Sequence, residues 1–541
     1  MLLHDFLTES ARKFPDKTAL IFSSRRITYR ELDRQSNRLA HALIDLGVER
    51  GDRVAIFLDN SPESVIALFG VLKAGAVFIM LCAGLKTGKL DYILNQSGAR
   101  VLISHKNKRR IFNGIHASTN LIKIIIEEDE IQKDSPLTWD KIMSDPPDHV
   151  RYPSDHCPAR RNIDLDLAAL IYTSGSTGDP KGVMLTHLNM VCAATSITSY
   201  LKNTPDDIIM NVLPLSFDYG LYQVLMAVKF GGTVVLEKSF LYPYAVIEKM
   251  IREKVTGLPL IPTLAAMILQ MESLKGYDFS SLRYITNTGA VLPETHIKKL
   301  KATFPHAAIY SMYGLTECKR VSYLPPEELD QRPNSVGKPM PNVEVFIVDE
   351  KGNSVCPGVV GELVVRGSNV MRGYWNDPKE TDRVLKAGRY QGEQVLYTGD
   401  FFRMDEEGYL FFAGRKDDLI KTRGERVSPR EVENVLCQID GVSEAVVIGV
   451  PDNLLGQTIK AFILPVLGSD LGEKEIIAYC MDKLECSMVP KYVEFLSEFP
   501  RTATGKIDRK KIAMENNNTK ITMKQIRERR EYEQYSDAAR S

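Results

Sequence analysis

The chain has no excess of charge of either sign. Its 541 residues include 69 Lys and Arg against 69 Asp and Glu, a formal net charge of zero. Nucleic-acid binders usually carry a clustered basic excess, so no polyanionic partner is expected. Paired cysteines are missing as well. The eight cysteines, at 82, 157, 192, 318, 356, 437, 480 and 486, form no C-x-x-C pair. That argues against a zinc or redox site of this type and fits reduced thiols in a cytoplasm. No run of about 18 apolar residues occurs, so no membrane span is expected. The start, Met1-Leu2-Leu3-His4-Asp5, lacks the basic segment and apolar core of a secretory leader. Two familiar nucleotide patterns, G-x-x-x-x-G-K-[ST] and G-x-G-x-x-G, are not matched by the phosphate-type loop described next.

What is present is ordinary in bulk and specific in detail. Hydrophobic content is 44% and charged content 26%, as in a soluble globular protein, and the length suggests several domains. The stretch Tyr172-Thr173-Ser174-Gly175-Ser176-Thr177-Gly178-Asp179-Pro180-Lys181-Gly182-Val183 stands out. An apolar run, Leu167 to Tyr172, precedes it, and Met184 to Tyr200 has helical spacing. A Gly, Ser and Thr loop between strand and helix suits an anion: backbone approaches closely and N–H and hydroxyl groups point at phosphate oxygens. Lys181 adds a cation. On composition alone a flexible surface turn is the other reading.

The pattern elsewhere is strand–helix alternation, which predicts a layered α/β architecture. Thr28 and Glu31 predict a capped helix start. Val54–Leu58, Val101–Ser104 and Ile122–Ile126 read as strands, and Ser64–Ala74 as a helix ended by Gly75. Pro146 to Arg161 reads as a loop. Further on, Val212–Leu215, Leu282–Thr286 and Ile309–Met312 each lead into a polar, aromatic or glycine-bearing loop. Ligands bind at such carboxyl ends in open α/β sheets. Residues 343 to 413 carry short strand-like runs, Val343–Val348, Gly361–Arg366 and Tyr409–Phe412, which predict a small antiparallel subdomain. A compact α/β pattern follows to about Lys511. The charged segment from 516 to 541 reads as a polar tail.

Five motifs in order resemble the adenylate-forming superfamily of acyl-CoA synthetases, amino-acid adenylation domains and luciferases. They are Tyr172–Val183, Tyr313-Gly314-Leu315-Thr316-Glu317, Tyr397-Thr398-Gly399-Asp400, Gly414-Arg415-Lys416-Asp417-Asp418 and Thr504-Gly505-Lys506. The resemblance implies an adenylation domain over 1–413, a small mobile α+β lid over 414–515 and a tail over 516–541. It implies ATP and Mg²⁺ as cofactors. Thr173, Ser174, Thr177 and Lys181 would hold the β- and γ-phosphates. Tyr313 would lie flat on adenine, with Thr288, Gly289 and Ala290 lining the adenine and acyl pockets. Thr316 would bond the α-phosphate and Glu317 would hold the metal, a hard ion that prefers oxygen ligands. Asp400 would take the ribose hydroxyls and Arg415 would support ribose or phosphates. Lys506 would offset charge as a carboxylate attacks the α-phosphate. Asp417 would be a hinge; read alone, it is a solvated charge.

The acid substrate rests on Asp218. In amino-acid-activating relatives, a Phe-Asp pair at this point faces the substrate ammonium, and Phe217-Asp218 fits. Tyr219, Tyr222, Ile285, Asn287 and Met312 would line the pocket. Read alone, Asp218 is a helix N-cap. The resulting expectation is a stand-alone ligase of secondary metabolism that loads an amino acid, L-proline by resemblance to prolyl ligases, onto a carrier protein's phosphopantetheine. The rival is an acyl-CoA synthetase for a fatty or aryl acid; a catalytically inactive nucleotide-binding protein is the rival of another class.

Overall fold

The computed structural model describes residues 1–115, 121–126, 138–144, 156–173, 179–271, 274–289, 292–415, 420–422, 425–452, 456–466, 468–485, 488–501, 507–509 and 511–516. The chain divides into two compact units. One holds Met1–Gly399 and Arg403–Phe411; the other holds Asp400–Phe402 and the chain from Phe412 onward.

Two large sheets build the first unit. In the nine-stranded sheet the order is Lys338–Pro339, Cys318–Leu324, Ala308–Leu315, Tyr284–Asn287, Gly257–Leu260, Ile208–Asn211, Thr233–Leu236, Thr18–Phe22 and Arg25–Thr28. Neighbours from Ala308–Leu315 to Thr18–Phe22 are parallel, and the outer joins are antiparallel. The seven-stranded sheet runs Gly373–Tyr374, Lys181–Thr186, Leu167–Thr173, Val77–Met80, Arg53–Phe57, Val101–His105 and Ile122–Ile126. Its inner strands are continuous apolar runs such as Val77-Phe78-Ile79-Met80, buried throughout, as strands covered on both faces require.

Helices follow from caps and apolar faces. Thr28 and Glu31 form the expected capping box, and the helix runs Tyr29–Asp45. Helix Pro62–Lys73 is apolar nearly all round and correspondingly buried. It packs on Tyr29–Asp45. At Gly70 a Cβ would come within 2.9 Å of Leu39 Cβ, so a glycine is needed for the two helices to approach this closely.

Three sequence expectations change. The helix after the phosphate-type loop begins at His187, not Met184. Lys181–Thr186 is a strand antiparallel to Leu167–Thr173, and Thr186 with Asn189 caps the helix that follows. The loop therefore joins two strands, and no helix N-terminus sits at its end. The strand near Val212 is Ile208–Asn211 and stops before the segment expected. Ala308–Leu315 continues through Tyr313 and turns at Thr316-Glu317 into Cys318–Leu324, so the motif lies on a hairpin.

A smaller sheet has the order Val343–Val348, Gly361–Gly367, Gln394–Met404 and Leu385–Ala387, with antiparallel outer joins as expected. In the second unit, Glu425–Val427, Ile420–Thr422, Gly456–Pro465 and Val442–Asp452 form a sheet joined by Tyr492–Phe495. Helices Pro429–Leu436 and Glu473–Lys483 pack Val432, Leu436, Ile476 and Cys480 into its core. Among the described residues no helix is long and apolar enough to cross a membrane.

Candidate active site

Lys181 starts its strand directly opposite Thr173. Its ammonium lies 2.5 Å from Glu380 Oε2 and 5.8 Å from the centre of the Tyr374 ring. Glu380 sits in the first turn of helix Pro378–Val384, whose N-cap Asp377 accepts its N–H. Lys181, with burial opposing and Arg383 assisting, holds the Glu380 carboxyl below its usual range. Tyr374 donates its hydroxyl to Glu317 Oε1 at 2.7 Å. Its strand pairs with Lys181–Thr186, and Met371 N–H donates to the Glu317 carbonyl. One aromatic ring thus brings Lys181 and Glu317 together from two different sheets.

Thr316 and Glu317 form the tip of the hairpin, with Tyr313 half-buried before them. Gly314 has a steric reason: a Cβ there would meet Arg320 N at 2.7 Å and Arg320 Cα at 2.8 Å. Glu317 offers hard oxygens of the kind Mg²⁺ takes alongside phosphates. Among the described residues no group of three acidic, His or Cys side chains could hold a metal by itself. Thr288 is buried and Gly289 has φ +89°, at the end of strand Tyr284–Asn287.

Asp218 opens helix Asp218–Phe230, with Phe217 in the N-cap position. Its carboxylate has a partner within the chain: Lys319 Nζ lies 3.1 Å from Oδ2, both side chains being buried. The Lys319 ammonium also lies 4.8 Å from the Tyr222 ring centre and 5.5 Å from that of Tyr219. Burial, with Arg320 adding and Asp218 opposing, pushes Lys319 down to about 8. Tyr219 donates to the Thr286 carbonyl at 2.9 Å, and its phenol is pushed up to about 12 by burial. Tyr200 donates to Met312 Sδ at 3.1 Å and stacks on Tyr323.

Strand alternation divides the expected pocket residues. Thr286 faces Tyr219, and Tyr310 beside it in register shares a face with Met312. Ile285 and Asn287, the odd-numbered neighbours, are buried on the opposite face of the same sheet. Tyr219, Tyr222 and Met312 are therefore brought together, and Ile285 and Asn287 are separated from them.

In the second unit, Asp400 is buried and Arg415 Nε lies 3.2 Å from its Oδ1, so the ribose pair expected from sequence is in contact. Ser174, Thr177, Ala290, Asp417 and Lys506 lie outside the described residues. Four residues were missed from sequence. Tyr374 and Glu380 carry no motif signal beyond an aromatic pair before a capped helix start, Asn376-Asp377-Pro378. Lys319 and Arg320 did carry one: two adjacent cations inside an otherwise apolar strand, which must find partners if buried.

The AMP-binding enzyme family matches residues 7–375, and the AMP-binding enzyme C-terminal domain matches 431–506. The chain is 31% identical to a long-chain-fatty-acid–CoA ligase of Bacillus subtilis, over 95% of this chain and 94% of that protein. It is also 31% identical to tyrocidine synthase 3 of Brevibacillus parabrevis, over 98% of this chain but 8% of that protein. The crystal structure of ATP-bound MatB from Rhodopseudomonas palustris matches with a TM-score of 0.84 at 26% identity, covering 95% of this chain and 98% of that one.

Proposed function

Since the chain belongs to the AMP-binding enzyme family and is an ATP-using, AMP-forming ligase, we propose that its substrate is a carboxylic acid without an α-ammonium, joined through an acyl-AMP to the thiol of coenzyme A. The observation that carries the choice is the Lys319 ammonium on Asp218. A buried carboxylate already neutralised by its own chain gives a substrate amine no reward.

The parts fall into two half-reactions. Thr173, Ser174, Thr177 and Lys181 bind the β- and γ-phosphates, Thr316 the α-phosphate, and Tyr313 with Thr288, Gly289 and Ala290 the base. Asp400 and Arg415 take the ribose. Glu317 is the oxygen ligand for Mg²⁺, which when bound offsets phosphate charge. Carboxylate attack on the α-phosphate forms the mixed anhydride and expels pyrophosphate. Lys506 stabilises the charge that gathers there, and its loss should slow adenylation by about 10²–10³. Thiol attack on the acyl carbon then releases AMP, after a rotation at Asp417. Lys506→Ala should slow adenylation by that factor yet spare thioester formation from supplied acyl-AMP; loss of neither step overturns its role. The setting is the cytoplasm.

A second reading is favoured by the tyrocidine synthase match and by the buried Asp218: an amino acid, L-proline first, loaded onto a carrier protein's phosphopantetheine. Substrate-dependent ATP–pyrophosphate exchange separates the two. The first predicts exchange with fatty, aryl or other amine-free acids; exchange with amino acids alone overturns it. Thioester formation with coenzyme A against a phosphopantetheinylated carrier then fixes the acceptor.

A further inference from the structure

Arg320 is 2% exposed, and its buried Nε has no hydrogen-bond partner among the described residues. It lies 5.6 Å over the ring of Tyr219, one residue along from Lys319. The local charges do not balance. Lys319 and Arg320 are two buried cations, and Asp218 is the one carboxylate whose charge reaches Lys319. A guanidinium taken from water without an anion is costly, and a ring face returns only part of that.

The backbone holds Arg320 in place against strain. Its φ is +57°, a region that side-chain-bearing residues rarely adopt. Asn369 Nδ2 donates to the carbonyls of Lys319 at 3.2 Å and Arg320 at 2.9 Å. Gly314, by lacking a Cβ, lets the Arg320 backbone pass. Strain kept by two neighbouring devices, Asn369 and Gly314, is the pattern of a functional position.

We infer that Arg320 receives a second anionic group on the acid, so that the substrate class is dicarboxylic acids. One carboxylate goes to the α-phosphate and the other to the pocket of Tyr219, Tyr222 and Lys319. This rests on the reading of that cluster as the acid pocket.

The test is ATP–pyrophosphate exchange with straight-chain dicarboxylic acids of increasing length, each against its monomethyl ester. For the best length, kcat/KM for the diacid should exceed that for the ester by about 100-fold or more, because the ester leaves the buried cation unpaired. In Arg320→Gln that ratio should collapse toward one, and Arg320→Lys should restore part of it. Equal use of diacid and ester by the wild type overturns the inference, as does a ratio unmoved in Arg320→Gln. If Arg320→Gln does not fold, the wild-type ratio decides alone. Exchange with amine-free neutral acids but no diacid sinks this inference and leaves the adenylation reading standing. Exchange with no acid at all sinks both.

Discussion

At the scale of single residues, the site is governed by which cation each carboxylate holds. Lys181 is claimed by Glu380, which under the proposed phosphate role a triphosphate would displace or share. Glu380→Gln should lower the KM for ATP by about 3- to 10-fold, the range of a modest ion pair. Steady-state kinetics at varied ATP checks this; a raised KM would mean that Glu380 positions Lys181 for phosphate. Asp218 holds the buried Lys319 ammonium. Asp218→Asn should cost about 3–5 kcal/mol, as breaking one side of a buried pair does. The pair Asp218→Asn with Lys319→Met should recover part of that loss. Thermal melting of both variants decides, and a single variant that melts like the wild type contradicts the charge balance described here.

At the scale of elements, the N-terminal helix Asp5–Lys13 is tied to helix His187–Tyr200 through two buried imidazoles. His4 and His187 meet edge to face at 6.0 Å, and Leu3 N–H donates to His187 Nδ1 at 3.1 Å. Burial pushes His4 down to about 4 and His187 to about 3. Asp5 and Asp33 pull His4 up while Lys73 and Arg160 push it down; His187 feels His4 and Arg160 against Asp166 and Asp5. Both folded values lie below the unfolded value near 6.5. Their contribution is therefore complete above pH 6.5 and is lost as pH falls toward 4, where the unfolded chain takes protons that the folded chain refuses. The loss is on the order of 3 kcal/mol for each imidazole by pH 4. His4→Phe with His187→Asn, which keeps an acceptor for Leu3, should flatten the acid limb of melting temperature against pH. An unchanged limb contradicts the assignment.

Elements also show what was legible beforehand. Thr28 and Glu31 gave their helix because a capping box is local. The start at His187 was misplaced because Gly182-Val183-Met184-Leu185 is apolar with either period, and only pairing with Leu167–Thr173 selects the strand. The hairpin through Thr316-Glu317 was read as a loop for the same reason. Motif residues near one another in sequence were readable. Lys181 with Glu380, 199 residues apart, and Lys319 with Asp218, 101 residues apart, were not, because no periodicity links them.

At the scale of the whole molecule, the formal charge is zero and the candidate site residues are divided between two units. The first carries Lys181, Glu317 and the Asp218–Lys319–Arg320 cluster; the second carries Asp400 and Arg415. The proposed reaction joins acid and nucleotide through the acid's carboxylate, and the carboxylate oxygen records whether that happens. The most direct measurement is oxygen transfer from an acid labelled with ¹⁸O in its carboxylate, in the presence of ATP and a thiol acceptor. Attack on the α-phosphate followed by thiol attack on the acyl carbon leaves one labelled oxygen in AMP, with pyrophosphate as the other product. Unlabelled AMP, or ADP with inorganic phosphate, would contradict acyl-adenylate formation.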